Sequence, residues 1–297
     1  MEHHKDFYRG VVMMLVSNVF FSAMALFARA GALVGEGISA LSQTQYRFAI
    51  GMGFIVILAM TGRIKLRFRN YKGLLLRGFV GGISVLLLYL PIQFIGLAKT
   101  SVIYYTYPVF ASLFGAIFFK NRPTLGVWLS IILAVAGMVV INWEGFADPS
   151  TLNAGIILAV AGSISAGLAV VMIKKLTETE SNFSIYLAQC LVGFWLFLIP
   201  SAAVPLPPSW MTPVILLGVG VFALAGQLSM NWSYKRVDVN TGSLFGTIVP
   251  VFNIIGGVLI FREELTLLEI IGTVITLSAC VMLVVIRSRS RAMARQG

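Results

Sequence analysis

Apolar residues run along this chain in blocks of about twenty, the length a helix needs to cross the hydrocarbon core of a bilayer. Ten blocks are present, at 10–30, 41–61, 78–97, 102–119, 125–143, 155–173, 185–203, 214–232, 242–261 and 267–286. Several of the polar connections are so short that neighbouring helices must pack antiparallel. The pattern predicts an all-α integral membrane protein of ten transmembrane helices. The first block is too long for a signal-peptide core and has no A-x-A cleavage pattern, so it reads as a retained span.

Composition narrows the class. The chain is 58% hydrophobic and 11% charged, with a mean hydropathy of +0.92. A soluble domain of this size could not bury that much apolar surface. The net charge of +11 would point to nucleic acid in a soluble protein, but here it sets orientation. With the N-terminus inside, eighteen of the 22 Lys and Arg residues, Arg77 among them, fall on inner segments, and only Lys99 and Arg262 on outer loops. This positive-inside bias predicts a bacterial inner-membrane protein with both termini cytoplasmic. Glu36, Glu144, Asp148, Glu263 and Glu264 lie on the outer side, with Glu269 just inside the outer end of the last span.

The second half repeats the first at an offset of 142 residues. Pro108-Val109-Phe110 matches Pro250-Val251-Phe252, Gly115 matches Gly257, Lys120 matches Arg262 and Thr124 matches Thr266, without a gap to Val139 and Val281. The repeats are placed at 1–145 and 146–297. Five spans per copy insert the second copy upside down. An inverted repeat offers two similar conformations, one open to each side, with the substrate site at the seam.

The residues that carry a family likeness are Tyr46-Arg47-Phe48, Ala98-Lys99-Thr100-Ser101, Tyr107-Pro108-Val109-Phe110, and Val249-Pro250-Val251-Phe252 with Arg262-Glu263-Glu264-Leu265-Thr266. With these the chain resembles the drug/metabolite transporter superfamily, in its EamA-type branch. The resemblance implies ten helices, two EamA repeats, cytoplasmic termini and carriage of small organic metabolites, often export of amino acids or drugs. The family tends to carry Glu before its fifth and tenth helices. Glu263 fits, whereas Asn121 stands in its place in the first repeat. These positions read as helix-start signals, and Thr266 with Glu269 forms a capping box.

Polar side chains at membrane depth face the bundle interior or a watery cavity. The candidates for substrate contact are Asn18 with Ser22, Tyr89 with Gln93, Tyr104 with Tyr107, Gln227 with Asn231, and Ser165, Gln189, Thr247 and Asn253. Each could also bond a neighbouring helix. The tyrosines could stack on a planar group or receive a cation; for Tyr104 and Tyr105 the alternative is anchoring at the interface. Arg47 could be a counter-charge for a carboxylate or phosphate, or could bond helix-end carbonyls or Glu36. Arg29, nearer the boundary, is less informative. No Asp or Glu falls in the middle of a span, which disfavours coupling through an intramembrane acid. Pro108 and Pro250 predict matched kinks. Gly51, Gly53, Gly81, Gly82, Gly256 and Gly257 allow close helix approach, and Gly242 with Gly246 form a GxxxG whose contact is internal or dimeric.

The two cysteines, Cys190 and Cys280, read as small buried hydrophobes. His3 and His4 sit on the N-terminal tail without further metal ligands. No HExxH, GxSxG or P-loop supports an enzyme, and no cofactor is implied. The reading is a secondary carrier, monomer or homodimer, whose partners are a small-molecule substrate and the lipid bilayer, with no nucleic acid. Amino acids or related compounds in the export direction come first. The alternative is uptake or exchange of a planar or cationic metabolite, a nucleoside-linked compound or a vitamin. Lipid translocation or a non-transporting scaffold comes last.

Overall fold

A computed structural model describes residues 2–118, 125–141, 143, 154–237 and 239–293. The repeat boundary at 145/146, Lys120, Asn121, Thr124, Glu144 and Asp148 lie outside the described residues, as do the side chains of His3, His4 and Cys280.

The chain is an all-helical membrane bundle of ten spans in two inverted five-helix repeats. The first half contains α1 (Glu2–Leu33), α2 (Ala40–Met60), α3 (Tyr71–Tyr104), α4 (Tyr107–Phe118) and α5 (Leu125–Ile141). The second contains α6 (Ala154–Leu176), α7 (Asn182–Ala202), α8 (Met211–Tyr234), α9 (Val239–Gly246), α10 (Ile248–Phe261) and α11 (Leu267–Met293). Three elements differ from one-helix-per-span. α3 continues past a break at Gly96 (φ 78°, ψ 175°) and supplies the start of span 4. Span 4 is interrupted again at Tyr105 and Thr106, and span 9 at Thr247. Both interruptions fall just before Pro108 and Pro250, whose rings remove a backbone donor and clash with the preceding turn. The matched prolines therefore break the spans and do not merely bend them.

The inverted symmetry is visible in the packing. α1 lies along α8 as α3 lies along α6; α2 packs on α8 as α7 packs on α3; α2 meets α7, and α5 meets α11. Each pairing maps onto another, or onto itself, when span n is exchanged with span n + 5. Local detail repeats too. Ser39 Oγ accepts from Ser42 N at 3.0 Å to cap α2, and Ser181 Oγ accepts from Ser184 N at 3.1 Å to cap α7. These caps, and both ends of the two helices, are related by the offset of 142. Gly51 and Gly193 are related in the same way: a methyl at the first would overlap Tyr186 Oη, and at the second the Phe48 ring. Gly53, by contrast, has no neighbour within 4 Å of an added Cβ. Outward faces are apolar, as Leu125, Trp128 and Ile132 on α5 and Leu267, Ile271 and Val274 on α11 illustrate.

Three carboxylates tie the halves together. On the face away from the termini, Glu263 accepts from the backbone N–H groups of Leu97 (2.7 Å) and Ala98 (2.8 Å). These donors are freed because only glycine readily adopts the positive φ of Gly96. Glu263 Oε1 also lies 2.7 Å from Arg29 Nε, and Arg29 Nη1 donates to Ile92 O at 3.0 Å. So Glu263 does mark a helix start, but in the other repeat, and Arg29 is part of the tie. Nearby, Lys99 pairs with Glu269, and Thr266 and Glu269 exchange the two bonds of a capping box at 2.9 and 3.3 Å. On the face holding the termini, Glu180 accepts from Arg69 N and Asn70 N at 3.2 and 2.7 Å.

Glu263→Gln, which leaves Arg29 without its counter-charge, is expected to cost about 2–3 kcal/mol of stability. Chemical unfolding of the detergent-purified protein checks this, with Glu264→Gln as the neutral control. Combined with Arg29→Gln, the loss should be clearly less than the sum of the two.

Candidate functional site

A cavity lies between the halves, with an open volume of about 90 Å³. Met14, Asn18, Phe21 and Met24 line it from α1, Arg47 from α2, and Arg77, Gly81, Ser84, Val85 and Leu88 from α3. Tyr104, Tyr105 and Tyr107 reach it from the broken span 4; Ala166, Ala169, Val170 and Ile173 from α6; Gln189 from α7; Gln227 and Met230 from α8. Ligand pockets for drug-sized molecules run from about 300 to 1,000 Å³. This cavity holds a small group as it stands, and a larger metabolite requires the helices to part.

Arg77 is the residue that hydrophobic patterning misplaces. It precedes the third apolar block and counts as an inner-loop charge, yet it is 2% exposed. Its Nη2 donates to Gln189 Oε1 at 3.1 Å, and Gln189 Nε2 donates to Gly81 O at 3.1 Å. Nε and Nη1 of Arg77 have no hydrogen-bond partner. The head lies so close to Gly81 that a methyl there would overlap it. Arg47 is equally buried. Its Nη1 donates to Tyr89 Oη at 3.1 Å and lies 3.1 Å from Met24 Sδ, while Nε is unpartnered. It meets neither helix-end carbonyls nor Glu36, which is exposed. Among the described lining residues there is no aspartate or glutamate.

The tyrosines are not interfacial. Span 4 starts at Leu97 instead of near Val102, which moves Tyr104, Tyr105 and Tyr107 inward by more than a turn. Their rings form an edge-to-face series with centroids 5.5 and 6.0 Å apart, and Tyr104 Oη bonds Ser84 Oγ at 2.7 Å.

The structure divides the candidate residues. Asn18, Arg47, Tyr104, Tyr107, Gln189 and Gln227 line the cavity. Tyr89 and Asn231 stand behind it, Tyr89 on Arg47 and Asn231 Oδ1 accepting from Gln227 Nε2 at 3.1 Å. Ser165 Oγ donates to Val80 O at 3.0 Å, joining α6 to α3 as Ser17 Oγ joins α1 to Gly226 O of α8 at 2.8 Å. Asn253 Nδ2 donates to Ser101 Oγ at 2.8 Å and pins the two broken spans together. Gln93 donates to Ile38 O at 2.8 Å and faces a cleft beside Arg29 and Glu263. Ser22 and Thr247 are buried away from the cavity lining. Cys190 is buried. Among the described residues no group of three His, Cys, Asp or Glu is placed to hold a metal.

The profile of the EamA-like transporter family matches residues 8–143 and again 153–285. The chain belongs to the EamA-like transporter family. Two relatives of this EamA-like protein are the pseudopaline exporter CntI of Pseudomonas aeruginosa (strain UCBPP-PA14) and solute carrier family 35 member G1 of Mus musculus. The exporter is 26% identical over 290 residues, covering 92% of this chain and 95% of its own. The mouse protein is 25% identical over 260 residues, covering 79% and 66%. A protein of known crystal structure superposes with a TM-score of 0.66 at 17% identity, over 93% of this chain and 97% of that one; at that identity it shows the fold alone. The two-part match coincides with the two sets of five spans seen here.

The GxxxG of this EamA-like chain is internal. A methyl at Gly242 would meet Tyr234 and Met14, and one at Gly246 would overlap Tyr107 Oη. Gly246→Ala is therefore expected to destabilise the protein by about 1–3 kcal/mol through overpacking. In a Tyr107→Phe background, which removes the overlapping oxygen, the same substitution should cost less than half as much, as read from unfolding midpoints.

Proposed function

We propose that the protein is a secondary carrier of small organic metabolites that works by alternating access, with substrate held in the central cavity. The observation that carries this reading is the cavity itself. It is built by both inverted halves, and it is flanked by spans broken at matching prolines, the arrangement by which a repeat seam holds a solute. Tie points on each face supply contacts that could be made and broken in turn. Membership of a transporter family supports the same reading. The positive-inside bias supports a bacterial inner-membrane protein with both termini in the cytoplasm, and the sequence repeat supports two units, 1–145 and 146–297.

Amino acids or related compounds are the first substrates to test, in the export direction. Two guanidinium groups in the cavity repel a cation, so the geometry favours this class over a cationic metabolite. The export activity named for the Pseudomonas aeruginosa relative agrees in direction.

Counterflow in proteoliposomes tests the proposal. Saturable, trans-stimulated uptake of at least one solute from a panel of amino acids, organic acids, nucleosides and vitamins is expected. Ser101→Cys with Asn253→Cys, in a Cys190→Ala/Cys280→Ala background, should arrest that flux when bridged by a short bis-thiosulfonate, and reduction should restore it. Unchanged flux through the bridged protein would rule out separation of spans 4 and 9 as part of the cycle.

A further inference from the structure

We infer that the cavity binds the oxyanion of a soluble organic acid, a carboxylate or phosphate group held between Arg47 and Arg77. The inference rests on the reading of this cavity as the transport site. An arginine stays protonated in a protein, and burying such a charge costs several kcal/mol unless it is paired. Here two share one cavity, each 2% exposed, with no described acid among the lining residues. Their hydrogen-bonding is one-sided. Arg47 leans on Tyr89, with its guanidinium 5.9 Å from the ring centroid, and Arg77 leans on Gln189, leaving Nε of each and Nη1 of Arg77 unused.

The neighbours are neutral groups that orient the guanidiniums without discharging them. Gly81, one turn on from Arg77, has no side chain, and that lets the Arg77 head lie where it does. An open volume of about 90 Å³ fits a carboxylate or phosphate with little of its carrier. Oxyanions are the ligands whose planar or tetrahedral oxygen sets match forked N–H donors. The apolar wall from α1 and α6 and the tyrosine series are left for the rest of the solute.

Binding to the purified full-length protein in a neutral detergent is the test, by thermal shift and titration. The probes are glutamate, malate, citrate and glucose 6-phosphate, against malamide, glucose and choline, which carry no oxyanion. At least one anion should bind, with its uncharged or cationic counterparts at least tenfold weaker. Arg47→Gln and Arg77→Gln should each weaken that anion at least tenfold, and Arg77→Lys should recover part of the loss. Gly81→Ala should weaken it as well while the protein stays folded, because the added methyl displaces a flexible side-chain end. On the unaltered protein, the anion should shield both arginines from phenylglyoxal, read by peptide mass spectrometry, and malamide should not.

The inference is overturned if no anion binds, if malamide, glucose or choline binds equally well, or if binding survives loss of either guanidinium. Displacement of every anion by phosphatidylglycerol nanodiscs, but not by phosphatidylcholine ones, would give the site to a lipid headgroup and overturn the soluble ligand. An anion bound with these signatures but never carried in liposomes upholds the oxyanion site and sinks the carrier reading. Saturable flux of choline with no anion bound does the reverse.

Discussion

A bilayer offers no water to a broken helix, so every backbone group freed at membrane depth has to be satisfied from within the protein. The corner at Gly96 shows how this governs the assembly. Reversing the chain there frees the amides of Leu97 and Ala98, and the group that receives them is Glu263, about 165 residues away in the other repeat. A carboxylate so placed needs a cation, and Arg29 of α1 supplies it. One local break thereby fixes the relation of α1, the span 3–4 corner and the span 9–10 loop. Where span 4 enters the membrane then decides what it presents to the centre, including the three tyrosines. The fold is held at its ends by charge and along its length by small-residue packing, and the middle is left open.

The frame was legible in the sequence because it rests on quantities that a window can sum. Apolar length, basic asymmetry and a fixed offset are properties of many residues at once. The paired prolines were legible for a local reason, since the missing donor belongs to the residue itself. What escaped was set by partners remote in sequence. Arg77 sits at the boundary of an apolar block, and there charge counts place an arginine in the inner loop; only packing against Gln189 and Gly81 puts it within the bundle. Tyr104 and Tyr105 were set too shallow because nothing in composition marks Gly96 as the turn. For Gln227 and Asn231, the spacing of four identified a common face but not that one residue would point at the cavity and the other hold it. A glycine four residues beyond a boundary arginine was the available signal for Arg77, and it is weak by itself.

The symmetry of the frame makes the asymmetry of the cavity informative. α2 and α7 superimpose in sequence at the offset of 142, with matching caps and with Gly51 meeting Gly193. At that offset Arg47 corresponds to Gln189. Both line the cavity from matching positions, one as a fixed cation and the other as a neutral amide that supports a second cation. Arg77 falls opposite the stretch around Val219, which is apolar. Both charges therefore come from the first repeat, and the second contributes amides and aliphatic wall.

Inverted repeats by themselves would give two conformations of equal energy and a site with no preferred direction. Placing the cations in one half breaks that equivalence at the cavity proposed to hold the solute. A ligand with one charged end and one apolar end would take a single orientation between the halves, its charge on the first repeat in whichever conformation the protein adopts. On the proposed reading, the backbone duplication would supply the motion, and the side chains that escaped duplication the recognition.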